Sequence, residues 1–232
     1  MEAQTISYLV VTIKEWNIKR YNLARGNFSG EWYLITNPSE LSLEKVRKIN
    51  PKYIFFPHWS ERVPSEITSN YECICFHETD LPFGRGGSPI QNLIVRGFKS
   101  TKISAIKMTD KIDAGPIYLK KELSLEGIAE EIYIRSSEIV FEMIKYIIEN
   151  KPNPIHQEGE VVIFKRRKPD QSIIPKEITT INELFDFIRM LDAEGYPKAK
   201  ITFNSFEMEI CNPVLRHNKL EGIVQIKPKP NS

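Results

Sequence analysis

Cysteine is scarce in this chain: three among 232 residues, with Cys73 and Cys75 one residue apart and Cys211 far downstream. An odd number so placed makes no disulfide framework and suits reduced thiols. A histidine follows the Cys-x-Cys pair, but no second ligand pair comes at zinc spacing, and CICFH alternates as a strand does, so no metal is expected. An excess of either charge is also missing. Lys and Arg number 32 against 30 Asp and Glu, a net charge of +2, which announces no polyanion and leaves nucleic acid unsupported as a partner. Long hydrophobic runs are absent as well. The opening MEAQTISYLVV has no basic leader, and its apolar stretch stops before Lys14 and Glu15, so neither signal peptide nor membrane span is expected and the cytoplasm is the expected compartment. No internal repeat is evident.

What is present is an ordinary globular composition, 41% apolar and 27% charged, in a chain long enough for one main domain and a small appendage. Short apolar runs at 7–12, 32–35, 53–56 and 73–77 alternate with longer amphipathic segments, the pattern of strands joined by helices in an α/β layer. Leu41, Leu43, Val46 and Ile49 have helical spacing before Pro51. Ser88-Pro89 reads as a cap and first-turn proline, with Gly97 as the stop. Segments 103–108 and 116–119 read as strands, and a long helix from Ile128 through Ile147 closes the main domain, residues 1–165. Residues 166–232 read as a small subdomain. It holds a helix with Thr180 and Glu183 at capping-box spacing, then three short strands at 200–203, 207–211 and 222–226. The basic run Lys165–Lys168 is either a solvated strand end or a phosphate contact.

The chemistry concentrates between Cys75 and Gly115. A strand ending at His77 delivers its histidine near the carboxyl edge of an open sheet, where such sheets place ligand crevices. Gly84, Gly86 and Gly87 let backbone approach a ligand, and the helix start at Ser88 offers amide N–H groups to an anion. Asp113 stands in the turn Asp-Ala-Gly-Pro, where an aspartate also serves as a turn former.

Taken together, His77-Glu-Thr-Asp-Leu-Pro, Arg85-Gly86, Pro89-Ile90 and Asp113-Ala-Gly-Pro resemble the formyltransferases that use 10-formyltetrahydrofolate, over roughly residues 50–200. The resemblance implies a Rossmann-like α/β catalytic domain with a β-rich appendage. It places Trp59, Ser60, Glu61 and Arg62, with Met108, Thr109 and Asp110, around the pterin of the co-substrate. It further implies an Asn–His–Asp triad, of which His77 and Asp113 are present while Cys75 stands where the family has asparagine. A thiol donates a weaker hydrogen bond than an amide to a developing oxyanion, so Thr79 or a backbone N–H is the candidate replacement. On this reading His77 donates to the oxyanion, and Asp113 orients it and helps move the amine's proton. Arg85, Gly86 and Gly87 are candidates for the acceptor's sugar or diphosphate, and Gln91 and Asn92 for its hydroxyl or acyl groups, each with a purely structural alternative.

The acceptor that the resemblance implies is a nucleotide-linked 4-amino-4,6-dideoxy sugar of the pseudaminic-acid type, UDP-linked and used in surface or flagellar glycans. The resemblance to sugar N-formyltransferases lies in HETDLPFGRGGSPIQNLI and in the passage after RRKPDQSI. A methionyl-tRNA formyltransferase-like enzyme and a non-catalytic folate or nucleotide-sugar binding module are the alternatives. Strand edges in the appendage leave room for a homodimer.

Overall fold

The computed structural model describes residues 5–229. The described residues divide into two compact units, one comprising those through Gly86 with Lys102–Leu123 and Ile134–Ile163, the other Gly87–Thr101, Ser124–Tyr133 and those from Phe164 on.

The first unit is built as the apolar runs require. Strand β1 (Ser7–Val11) is followed by helix α1 (Glu15–Ala24), β2 (Glu31–Ile35), α2 (Leu43–Ile49), β3 (Tyr53–Pro57), α3 (Ser65–Asn70) and β4 (Cys73–His77). The Ser42 hydroxyl accepts from the Lys45 N–H to start α2, and Asn50 ends it at φ 46° before Pro51. After the two-residue strand β5 (Arg85–Gly86) the chain forms helix α4 (Pro89–Ile94) in the second unit, and then β6 (Ser100–Lys107), β7 (Ile117–Ser124) and the long helix α5 (Ala129–Asn150), most of whose residues fall in the first. The six-stranded sheet runs β2-β1-β3-β4-β6-β7, with β1 to β4 parallel and β6 antiparallel to β4. Leu9, Val11, Ile35, Val46, Ile54, Phe56, Ile67 and Cys73 form one buried cluster on the sheet. Buried apolar area of this kind is the main force holding such a layer together. Helix α1 carried no signal in the sequence pattern: only Trp16, Asn17 and Tyr21 of its ten residues are buried.

Strand β8 (Ile163–Phe164) falls at the boundary, and the second unit continues with α6 (Ile181–Arg189) and three antiparallel strands, β9 (Ala199–Phe203), β10 (Phe206–Arg216) and β11 (Lys219–Pro228), ordered β11-β10-β9. The capping box at Thr180 and Glu183 forms as read: the hydroxyl accepts from the Glu183 N–H at 3.2 Å and the carboxylate from the Thr180 N–H at 3.0 Å. The three strands are longer than the sequence reading gave, with a register shift between Cys211 and Val214. The α/β class with a β-rich appendage is confirmed. Among the described residues no helix is long and apolar enough to cross a membrane.

Candidate active site

Strand β4 delivers Cys73, Cys75 and His77 to one face of the sheet by simple alternation, and His77 is buried at the strand's carboxyl end. Its Nε2 lies 2.7 Å from the carbonyl oxygen of Gly84. A carbonyl only accepts, so Nε2 carries the proton, and Nδ1 is the nitrogen that faces Asp113 Oδ2 at 3.7 Å.

Asp113 is held from three directions. Its backbone sits at φ 52°, the left-handed region that a short polar side chain tolerates. Its Oδ2 accepts the Gly86 N–H at 2.9 Å. Its carbonyl accepts from Gln157 Nε2 at 2.8 Å, and the same amide donates to Gly115 O at 2.8 Å. Gln157 Oε1 in turn accepts from Arg85 Nε at 3.1 Å and Nη2 at 2.8 Å. One glutamine therefore ties the Asp113 turn to Arg85, and no motif in the sequence pointed to it. Gly115 is sterically required: a Cβ there would meet the Lys107 carbonyl oxygen at 1.7 Å.

Two more groups were not anticipated. Glu78 is buried directly after His77, and its Oε1 lies 3.5 Å from His58 Nδ1. Burial alone would raise the Glu78 carboxyl, but the hydrogen bond to His58 and the electrostatic influence of the neighbouring His58 and His77 outweigh it and hold Glu78 below the usual glutamate range. The signal available in the sequence was the pair His58 and His77, each closing one of two adjacent parallel strands.

Cys75 is half-buried, and burial, with the negative charge of Asp113 adding to it, pushes its thiol far above the ordinary value. It stays protonated at neutral pH and is no thiolate nucleophile. Burial likewise pushes Cys73 up to about 12. Thr79, the candidate replacement donor, is fully buried and directs its hydroxyl at Gly84 O, 3.4 Å away, so the oxygen that engages His77 also occupies it.

Trp59 and Met108, just beyond the ends of β3 and β6, are partly buried and, like Cys75, pack against the buried cluster of the sheet. The Trp59 ring meets Phe56 edge-on at 6.1 Å, and its Nε1 is buried with no hydrogen-bond partner. An indole N–H left unused beside apolar walls fits the polar edge of a flat heteroaromatic ring such as a pterin. Ser60, Glu61, Arg62, Thr109 and Asp110 are exposed.

The remaining predicted residues fall in the second unit, and there their polar groups hold the fold. Gln91 is buried and donates to Tyr133 Oη at 3.0 Å and Met190 O at 3.1 Å. Asn92 Nδ2 donates to the carbonyls of Gly87, Ser88 and Lys165. A Cβ on Gly87 would lie 2.6 Å from Arg166 Cα, so its glycine serves a chain crossing. Ser88 is not the expected cap: at φ 54° its hydroxyl makes no cap bond and instead accepts the Arg167 N–H at 3.1 Å. Among the described residues no three His, Cys, Asp or Glu gather as metal ligands.

An open, parallel-rich sheet followed by a small antiparallel sheet matches the fold of solved formyltransferases. Residues 169–227 match the family profile described as methionyl-tRNA formyltransferase, C-terminal domain. A solved structure described as methionyl-tRNA formyltransferase from Clostridium thermocellum is 47% identical, covers 96% of this chain and 99% of that one, and superposes with a TM-score of 0.93. The chain belongs to the formyltransferase family. Among curated relatives, the methionyl-tRNA formyltransferase of Thermodesulfovibrio yellowstonii is 26% identical over 63% of this chain, which spans about half the length of that relative, 50%. A 4-N formyltransferase from Francisella tularensis shares the fold at 16% identity, with 95% of this chain and 97% of that chain covered and a TM-score of 0.67.

Proposed function

We propose that the protein moves a formyl group from 10-formyltetrahydrofolate to a primary amine, with His77 and Asp113 as the proton-handling pair. The observation that carries this is the divided imidazole: Nε2 is anchored on Gly84 O, which leaves Nδ1 turned to the Asp113 carboxylate. The co-substrate supplies the formyl carbon when bound. As the acceptor nitrogen forms its bond to that carbon it must shed a proton. His77 Nδ1 and Asp113 take and hold it, and the carboxylate stabilises the imidazolium, before it passes to the departing folate nitrogen. This differs from the expectation that His77 donates to an oxyanion, which would require Nε2 to leave Gly84. Trp59 and Met108 would hold the pterin, with the unused indole N–H as a specificity contact.

For the acceptor, the comparisons favour methionyl-tRNA over the aminosugar, because the 47% identical relative carries that description and the C-terminal segment matches that profile. The aminosugar stays as the second reading on one observation, the end-to-end fold match with the 4-N formyltransferase. Mass spectrometry after incubation with 10-formyltetrahydrofolate and, in parallel, methionyl-tRNA and a panel of UDP-linked 4-amino sugars decides between them. We expect one formyl group on methionyl-tRNA, and a loss of at least about a hundredfold in His77→Ala and Asp113→Asn. Near-normal turnover in either variant sinks the site, and formylation of a sugar alone sinks the first acceptor.

A further inference from the structure

Taking Trp59 and His77 in the roles proposed for them, we infer that His58 and Glu78 form a positioning pair for formyl transfer, which holds the pterin wall in place relative to the catalytic histidine. Strands β3 and β4 lie side by side in parallel, with Phe56 opposite Cys75 and Pro57 opposite Phe76. The residues that follow are His58 at one strand end, and His77 and Glu78 at the other. Between them His58 Nδ1 faces Glu78 Oε1 at 3.5 Å, and the two side chains are only 17% and 7% exposed. A carboxylate accepts and does not donate, so the contact is a hydrogen bond when Nδ1 carries the proton. Trp59 follows His58 in the chain and Glu78 follows His77. The contact therefore ties the two segments together one residue away from each side chain that the reaction uses.

His58 is held from behind as well. Its backbone stands at φ 47°, a left-handed conformation that histidine, asparagine and aspartate reach more readily than other side chains. The Trp16 ring meets the imidazole edge-on at 5.6 Å. The Pro57 carbonyl, one residue earlier, accepts from Thr12 Oγ1 at 2.9 Å and from Asn17 Nδ2 at 3.3 Å, both buried. Helix α1 buries only Trp16, Asn17 and Tyr21, and two of those three brace this segment. A buried carboxylate and a histidine at positive φ are poor choices for stability alone, since an apolar pair of similar volume holds a fold as well or better. What a hydrogen bond adds is a fixed distance and direction. Formyl transfer needs both, because a misplacement of about 1 Å costs on the order of a hundredfold in rate.

Calorimetric titration with tetrahydrofolate tests the pair without turnover. Glycine adopts φ 47° freely, so His58→Gly removes the imidazole without straining the backbone, and Kd should rise at least about tenfold. His58→Asn tolerates the same φ and offers an amide donor to Glu78, and should return Kd to within about threefold of the wild type. Glu78→Met keeps the volume and removes the buried charge. It should match His58→Gly, and the double variant should be no worse than either single, because all three lose one contact. With the acceptor that the wild type formylates, kcat should follow the same order, at least about tenfold down in both singles, while the acceptor KM stays within about threefold. Melting by circular dichroism checks the fold, and Glu78→Met against His58→Asn carries the comparison where His58→Gly does not fold. Single variants within about threefold of the wild type in Kd and kcat overturn the pair, as do losses that multiply in the double variant or an asparagine no better than glycine. Wild-type protein that binds no tetrahydrofolate overturns the folate reading and the pair together, whereas normal wild-type binding with indifferent variants overturns the pair alone.

Discussion

At the scale of single residues the site rests on side chains that hold other side chains. Gln157 satisfies the carbonyls of Asp113 and Gly115 while accepting twice from Arg85, so it fixes the turn carrying the carboxylate without reaching His77. Replacing it with Ala leaves those groups unpaired and the Asp113 turn free to drift. We expect kcat to fall about tenfold to a hundredfold with KM for the acceptor little changed, because a misplaced catalytic group costs rate rather than uniform binding. Gln157→Glu keeps the acceptor for Arg85 but loses both donors, and should recover less than half of the loss. Equal falls in activity and folded fraction would reduce Gln157 to a structural role. Glu78 gives a pH prediction. Its carboxyl is held below its ordinary 4.5, so the folded protein binds fewer protons there than the unfolded chain. The stability it contributes is present above pH 4.5 and is lost as pH falls through the lowered value. Urea titrations from pH 7 down to 3 should therefore show a shallower acid limb for Glu78→Gln than for the wild type. An unchanged limb removes Glu78 from the account.

At the scale of elements, legibility in the sequence followed burial. Strands β1, β3 and β4 are near-continuous apolar runs because both faces are covered, and each was readable within a residue or two. Helix α1 was invisible because so few of its positions meet the core. Strands β10 and β11 were read too short, since their outer halves carry Pro213, Arg216, Lys219 and Glu221, which look like turn residues outside the ladder. The site divided in the same way. His77 and Asp113 announce themselves through a strand end and a tight turn, whereas Gln157 lies in an aperiodic stretch and finds partners 42 to 72 residues away. Gln91 and Asn92 are legible as ligand candidates with a structural alternative, and their amides hydrogen-bond to groups of their own unit. The turn itself is testable through Gly115→Ala. A methyl group at 1.7 Å from the Lys107 carbonyl forces the Asp-Ala-Gly-Pro turn off the end of β6. We expect a loss of about 3 kcal/mol or more, read as a fall of roughly 6 °C or more in the melting midpoint. A variant that melts with the wild type shows that the turn has room to move.

At the scale of the whole molecule, near-neutral net charge is the property that an RNA acceptor must overcome. A net charge of +2 supplies no general field to draw in a polyanion, so any grip on phosphate must come from a local patch. The run Lys165–Lys168 is the natural candidate. Lys165, Arg166 and Lys168 are exposed, whereas Arg167 lies 5.5 Å above the Phe187 ring and donates to Gln171 O. Three solvent-facing cations that neutralise three phosphates release about as many counterions, and the logarithm of affinity then falls with the logarithm of salt at a slope of about −2 to −3. If methionyl-tRNA is the acceptor, kcat/KM at subsaturating tRNA should drop at least about tenfold between roughly 50 and 200 mM salt. Neutralising Lys165, Arg166 and Lys168 together should flatten that slope by about two while leaving kcat at saturation unchanged, since none of the three belongs to the His77 site. A nucleotide-linked sugar carries only its diphosphate, and its turnover should vary by no more than about threefold over the same range. Salt-insensitive formylation of methionyl-tRNA, or a slope indifferent to the three substitutions, would move the RNA contact away from this run.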